Sequence, residues 1–246
     1  MKIARFTIED KLHWLLPSDK RKGGFDYPFN GPQSVKHLIE SIGIPHTEIG
    51  VIQANGESIG MSYLVQDGEK IGVKAVVPAG DQITKPRFVL DCHLGRLAAY
   101  QRMLGLDTVY RNDFEDGELV QASVNEERVL LTRDRRLLMN KNVTAGQLLQ
   151  SLEPEEQIRE VIRRHGLKKW IKPFQRCLRC NQPLLPVRKE EIMDRLQPLT
   201  RLYFEEFHIC PACRQIYWKG SHYERMQNII KEIANDEYED VSGLDV

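Results

Sequence analysis

Arg87-Phe88-Val89-Leu90-Asp91 is the first of three short apolar runs that each lead into an acidic residue and then a helix-like segment. After it comes His93-Leu94-Gly95-Arg96-Leu97-Ala98-Ala99-Tyr100, with apolar positions at helical spacing. The second run, Leu106-Asp107-Thr108-Val109-Tyr110, meets the acidic loop Asp113-Phe114-Glu115-Asp116 before a helical stretch from Glu118. The third, Arg128-Val129-Leu130-Leu131-Thr132, continues into Arg133-Asp134-Arg135-Arg136-Leu137-Leu138. Short β-rich runs alternating with helices predict βαβ units, hence an α/β fold with a parallel sheet.

Right-handed crossovers make the strands of such a sheet point the same way, so residues following each strand collect along one edge, where ligands bind. Asp91, Asp116 and Asp134 are therefore expected to converge. Clustered carboxylates repel one another unless cations neutralise them, and hard oxygen ligands suit Mg²⁺ or Mn²⁺. Such a site can activate water against a phosphodiester, with Arg133 available to meet a phosphate. Each aspartate also stands where a helix N-cap is wanted, so capping is the competing reading.

The chain has 246 residues, enough for one large or two modest domains, with 41% hydrophobic residues to build cores. Lys plus Arg and Asp plus Glu are equal at 35 each, so global charge does not select a partner. Neither a signal-peptide pattern nor an apolar run long enough to span a bilayer occurs, which predicts a soluble, cytoplasmic protein without membrane contact.

Residues 1–80 read as a small α/β unit. Strand-like runs near Lys2–Thr7 and Leu12–Leu16 precede a helix over Ser34–Ser41 with Ser34 as N-cap. Further runs, Glu48–Ile52, Met61–Val65 and Ile71–Val77, are separated by Asn55-Gly56 and Asp67-Gly68 turns. This order suits a β-grasp domain, with His46 in a structural role and a Pro- and Gly-containing boundary at Pro78–Pro86. The domain is expected to fold independently, as an appendage that any chemistry downstream could do without.

Beyond the acidic core, Pro154 opens an amphipathic helix whose end is basic and interleaved with aromatics, including Lys168, Lys169 and Trp170. Cations that track phosphates and rings that stack on bases suit single-stranded nucleic acid; a solvated helix face with core-plugging aromatics is the alternative. Cys177-Leu178-Arg179-Cys180 and Cys210-Pro211-Ala212-Cys213, with 29 residues between, can give four thiolates to a structural Zn²⁺. A redox dithiol explains only one pair, and an iron-sulfur cluster uses the same ligands. Cys92 reads as a buried packing residue. Trp218, Lys219 and His222 after the second knuckle either face RNA or cover a ribbon. The stretch 233–246 reads as an acidic, solvated tail.

Arg87 to about Met226 resembles the PIN-like RNase domain named for the C-terminal domain of the mutator-seven exonucleases. The matching pieces are Phe88–Leu104, Leu130–Leu137, both cysteine pairs and Tyr217–His222. Residues 1–80, notably Ser34–Gly60, resemble ubiquitin-like sulfur carriers, and this fusion is an arrangement known in bacterial members. The resemblance implies a β-grasp domain over 1–80, a PIN-like α/β/α nuclease core over 87–170, and a zinc ribbon with a C-terminal helix over 171–232. It implies a metal-dependent ribonuclease with Asp91, Asp116 and Asp134 as catalytic ligands of Mg or Mn, Arg96 and Arg133 as phosphate contacts, and a structural zinc. The implied partners are RNA, single-stranded or tRNA-like, and a protein for the ubiquitin-like domain. The chain departs from the pattern in having no acid between Asp134 and Glu153, so Asp113, Glu115 or Glu118 would complete the site; Arg214 stands where a knuckle glycine is expected, predicting an irregular turn. The rival function is a non-catalytic RNA- or protein-binding adaptor, and a weaker third is a partner protein in sulfur transfer or tRNA modification.

Overall fold

The computed structural model describes residues 1–78, 86–220, 223, 227, 228 and 230–232. The boundary at 79–85, His222 and the acidic tail lie outside these residues. The chain forms two compact units, residues 1–95 with 110–152, and residues 96–109 with 153 onward.

The first unit begins with a sheet of five strands: β1 (Lys2–Ile8), β2 (Phe25–Phe29), β3 (Ile49–Ala54), β4 (Glu57–Ile59) and β5 (Lys70–Ala75), in spatial order β2-β1-β5-β3-β4. β1 and β5 are parallel and the other pairs antiparallel. Helix α1 (Val35–Ile42) starts at Ser34, whose hydroxyl accepts from the His37 amide, and stops at Gly43 in the left-handed conformation. Its Leu38 and Ile39 join Phe6 and Ile71 in the core. Two expected strands are absent. Asp10–Leu15 forms a 3₁₀ helix that buries Leu12 and Leu15, and Met61–Val65 contributes only an isolated bridge at Leu64. Three-residue spacing of the buried leucines, not alternation, governs the first.

The same unit continues with β6 (Arg87–Leu90), α3 (Asp116–Asn125), β8 (Val129–Thr132), α4 (Arg135–Leu138) and β9 (Gly146–Leu148). β6, β8 and β9 run parallel in that spatial order, in register Leu90↔Leu131 and Thr132↔Leu148. Phe88, Leu90 and Leu130 are fully buried, as is Leu119 of α3, as strands covered on both faces require.

Four contacts join residues 1–80 to the segment that carries the parallel sheet. The Leu148 amide of β9 donates to Glu48 Oε1 at 2.8 Å. His46 bonds Glu40 Oε1 through Nδ1 at 2.8 Å and the Val143 carbonyl through Nε2 at 2.7 Å. Arg135 donates to the Leu15 carbonyl and lies over the Trp14 ring. Glu48 is 5% exposed and meets the last strand of the parallel sheet, whose outer edge would otherwise present bare amides. A chain truncated before Ile83 is therefore expected to aggregate or melt well below the parent. Glu48→Ala, which orphans a buried amide, should cost roughly 1–3 kcal/mol. Thermal melts and size-exclusion profiles check both; a truncated chain as stable and monodisperse as the parent would contradict the docking.

The second unit holds α2 (Gly95–Met103) from Arg96 onward, β7 (Asp107–Tyr110) up to Val109, α5 (Pro154–His165), β10 (Leu185–Val187), α6 (Pro198–Tyr203), β11 (Phe207–Ile209) and β12 (Ile216–Trp218). β10, β11 and β12 form an antiparallel sheet over a small core of Ile192, Leu196, Phe207, Ile209 and Ile216. The expected helix at Pro154 is present, with Pro in the first turn and Gly166 closing it. No described helix is long and apolar enough to cross a membrane.

Candidate functional site

The Leu90↔Leu131 register carries Asp91 and Thr132 side by side off the ends of β6 and β8. Thr132 Oγ1 accepts from the Asp134 amide at 2.9 Å and donates to Asp91 Oδ2 at 2.6 Å. One hydroxyl thus fixes the Asp91 carboxylate and the Asp134 backbone together. Asp91 is 9% exposed, and its carboxylate does not cap the turn that follows it. Among the described residues no lysine, arginine or histidine pairs with it within 4.0 Å. A buried carboxylate that is fixed in place and has no cationic side chain beside it leaves room for a cation from outside the chain.

Cys92 is half-buried, correcting the expectation of a packing residue. Burial pushes its thiol up, and the neighbouring Asp91 carboxylate and, less, Asp116 add to this. Its carbonyl accepts from the Tyr110 hydroxyl at 2.9 Å. That hydroxyl passes so close to Gly95 that a Cβ there would meet it at 2.7 Å and push the Tyr110 ring aside. Ligand atoms of Asp91, Cys92 and His93 lie within 4.8 Å of one another. The carboxylates of Asp91, Asp116 and Asp134 do not form such a group among the described residues. Asp116 sits in the first turn of α3, and Asp134 accepts from the Arg136 amide at 2.7 Å as the N-cap of α4. Both are exposed.

Of the acids considered for completing the site, Asp113 and Glu118 are held by Arg111 at 2.9 and 3.3 Å. Hydrogen bonding to Arg111 lowers the Asp113 carboxyl despite some desolvation. Glu115 and Glu118 form a reciprocal capping box at the start of α3. Arg133 and Arg96 are exposed and form no ion pair with a described residue. Lys168 and Lys169 are exposed and Trp170 half-buried, its indole nitrogen inside the fold. Trp218 is exposed, and Lys219 pairs with Glu206 at 2.6 Å.

In the second unit the four knuckle cysteines gather their sulfurs within 4.8 Å, with Cys177–Cys213 at 3.5 Å and Cys180–Cys210 at 3.3 Å. Zinc–sulfur bonds of about 2.3 Å give tetrahedral edges of about 3.8 Å, so the cluster could bind zinc with small adjustments. The surroundings suit thiolates. Burial works against ionising Cys177, but the Tyr217 hydroxyl and the amides of Cys180 and Arg179 outweigh it and pull the thiol down to about 6. Tyr217 bonds Cys177 Sγ at 3.1 Å while accepting from the Leu178 amide. Arg102 donates to the carbonyls of Leu178 and Arg179, and Asn181 bridges Asp107 and Thr108, tying the first knuckle to β7. This second sphere orients the ligands and was not legible beforehand.

The expected irregularity at Arg214 is not found. Both knuckles place a non-glycine residue at positive φ, Asn181 at 67° and Arg214 at 61°, and both close with the same pair of backbone bonds. Arg214 keeps the turn at a cost in strain. Arg214→Gly is therefore expected to raise stability by about 1 kcal/mol, read as a higher Tm at unchanged metal content.

The Mut7-C RNAse domain family matches residues 86–230, and the Mut7-C ubiquitin family matches residues 1–81. No curated protein and no solved structure matches the chain. With the parallel strands and the cysteine cluster both inside the larger match, the chain belongs to the Mut7-C RNAse domain family, preceded by its ubiquitin-like domain.

Proposed function

We propose that this protein is a metal-dependent ribonuclease that hydrolyses single-stranded or tRNA-like RNA at the Asp91 edge, using Mg²⁺ or Mn²⁺, with a structural zinc ribbon in its second unit. The observation that carries this reading is Asp91, a buried carboxylate fixed by Thr132 and lacking any ion pair among the described residues. A divalent cation supplies the positive partner that this carboxylate lacks. Asp91 would hold the ion directly. Mg²⁺ keeps several of its waters and needs only one or two carboxylates, so Asp116 and Asp134 can take part without crowding against Asp91. When bound, the ion supplies the positive charge that activates water for attack on phosphorus and steadies the leaving oxygen.

The remaining roles belong to the chain. Thr132 locks the Asp91 carboxylate in one orientation, which pre-organises the site. Arg133, exposed next to Asp134, offers a guanidinium to the scissile phosphate. Lys168 and Lys169 track the RNA backbone, and Arg96 adds a further phosphate contact. The ubiquitin-like domain braces β9 and, through Arg135, the turn that bears Asp134; its free surface remains for a protein partner.

The adaptor reading draws on one observation, the capping bond of Asp134. Incubating the zinc-loaded protein with end-labelled RNA separates the two. Cleavage is expected with added Mn²⁺ and not without it, and intact RNA under both conditions would favour the adaptor.

A further inference from the structure

The second unit contains a cavity that the acidic edge does not use. It encloses about 180 Å³ between the segment before the first knuckle and the edge of the ribbon sheet. Five residues with aromatic rings line it, Phe174, His208, Tyr217, Trp218 and Tyr223. Phe174 and Tyr223 lean on one another with centroids 4.4 Å apart, and Trp218 is 39% exposed. Phe174 holds this place at φ 61°, a conformation that a bulky aromatic residue rarely adopts. The strain keeps a ring at the cavity, where strain in general marks ligand clamps.

Gln175, His208, Glu206 and Lys219 add polar lining, and the last two have a definite pattern. Phe207 and Trp218 are register partners in β11 and β12, so Glu206 and Lys219, one residue beyond, face each other at 2.6 Å. Both line the cavity with the rings. The Lys219 ammonium holds the Glu206 carboxyl below its ordinary range, so the pair offers one donor group beside two acceptor oxygens. The volume falls below the roughly 300–1,000 Å³ of pockets for drug-sized ligands, which suits one ring system better than a whole nucleotide.

We propose that this cavity is a subsite for a single unstacked guanine of an RNA strand, an inference that rests on the RNA-binding part of the function proposed above. Guanine presents an acceptor, O6, followed by two donors, N1–H and N2–H₂, along its pairing edge. Lys219 meets the first and Glu206 the other two. Cytosine offers one donor and two acceptors, adenine a donor and an acceptor, and uracil a donor between two acceptors, so none matches the ammonium–carboxylate pair as fully. Because the pair is exposed, stacking on the rings supplies most of the affinity and the pair supplies the choice of base.

The test is fluorescence anisotropy with an end-labelled oligouridine and the same oligomer carrying one central guanosine, using the zinc-loaded full chain without added Mg²⁺ or Mn²⁺. The guanosine oligomer is expected to bind about tenfold more tightly. Glu206→Gln should remove that preference, and Trp218→Ala should weaken both oligomers by about tenfold. Should Trp218→Ala fail to fold, Tyr223→Ala serves the same purpose from a different element. Equal binding of the two oligomers by the parent, a preference that survives Glu206→Gln, or parental affinity in a folded ring variant would each overturn the proposal. Guanosine-selective binding without cleavage on adding Mn²⁺ would sink the nuclease reading and leave the subsite standing. Mn²⁺-dependent cleavage without base preference would do the reverse.

Discussion

Asp91→Asn is expected to abolish RNA cleavage while the melting temperature without added Mg²⁺ or Mn²⁺ stays unchanged or rises. Asparagine keeps the size of the side chain, and its amide oxygen can still accept from Thr132, so the contact that positions the turn survives. What disappears is a buried carboxylate with no cationic partner among the described residues, so no ion pair is broken and only the capacity to hold a cation is lost. A purely structural aspartate would leave cleavage as it was. Asp134→Asn makes the complementary case, because asparagine caps helices about as well as aspartate and the bond from the Arg136 amide is retained. Cleavage is expected to fall there too, with Tm shifting by no more than about 0.5 kcal/mol equivalent and RNA still bound. Cleavage at the parent rate by both variants would end the nuclease reading.

Cys180→Ser is expected to lose the zinc and unfold the ribbon. Structural zinc sites contribute on the order of 10–16 kcal/mol in small zinc-finger peptides, more than the apolar cluster around Phe207 could replace. Arg102 and Asn181 anchor the knuckle through the backbone of residues 178 and 179 and through Asp107 and Thr108, so loosening should reach β7. Hydrogen exchange should become fast across residues 171–220 and stay slow in β1 to β5, whose sheet and core belong to the other unit. Elemental analysis of the parent should give one zinc per chain. An iron chromophore, or full zinc content in the variant, would contradict the assignment.

The strands β6 and β8 were legible because an apolar run leading to an aspartate states both a strand and the direction it points, but the gathering of the Asp91, Asp116 and Asp134 carboxylates expected from it is not seen among the described residues. Asp91 directly follows β6 and Asp134 stands two residues after β8, and the four cysteines gather in the second unit as their spacing describes. Thr132 was hidden, since a threonine closing a strand looks like any β-former until the register puts it beside Asp91. The docking of the first domain was hidden for another reason. Glu48 reaches a backbone amide 100 residues away, and a backbone donor leaves no mark in side-chain patterning. The run Leu12–Leu16 was misread because five residues are too few to separate alternation from the three-residue period of a 3₁₀ turn. Arg214 shows that turn geometry can be kept by a residue the turn does not favour when neighbouring bonds dictate it.

The central claim is that Asp91 is the principal ligand of a catalytic divalent cation, and calorimetric titration of Mn²⁺ into the zinc-loaded protein tests it without depending on the choice of RNA. The parent is expected to bind Mn²⁺ at a site that Asp91→Asn abolishes and that Asp134→Asn or Asp116→Asn weakens. Mn²⁺ binding by Asp91→Asn equal to that of the parent would contradict the account.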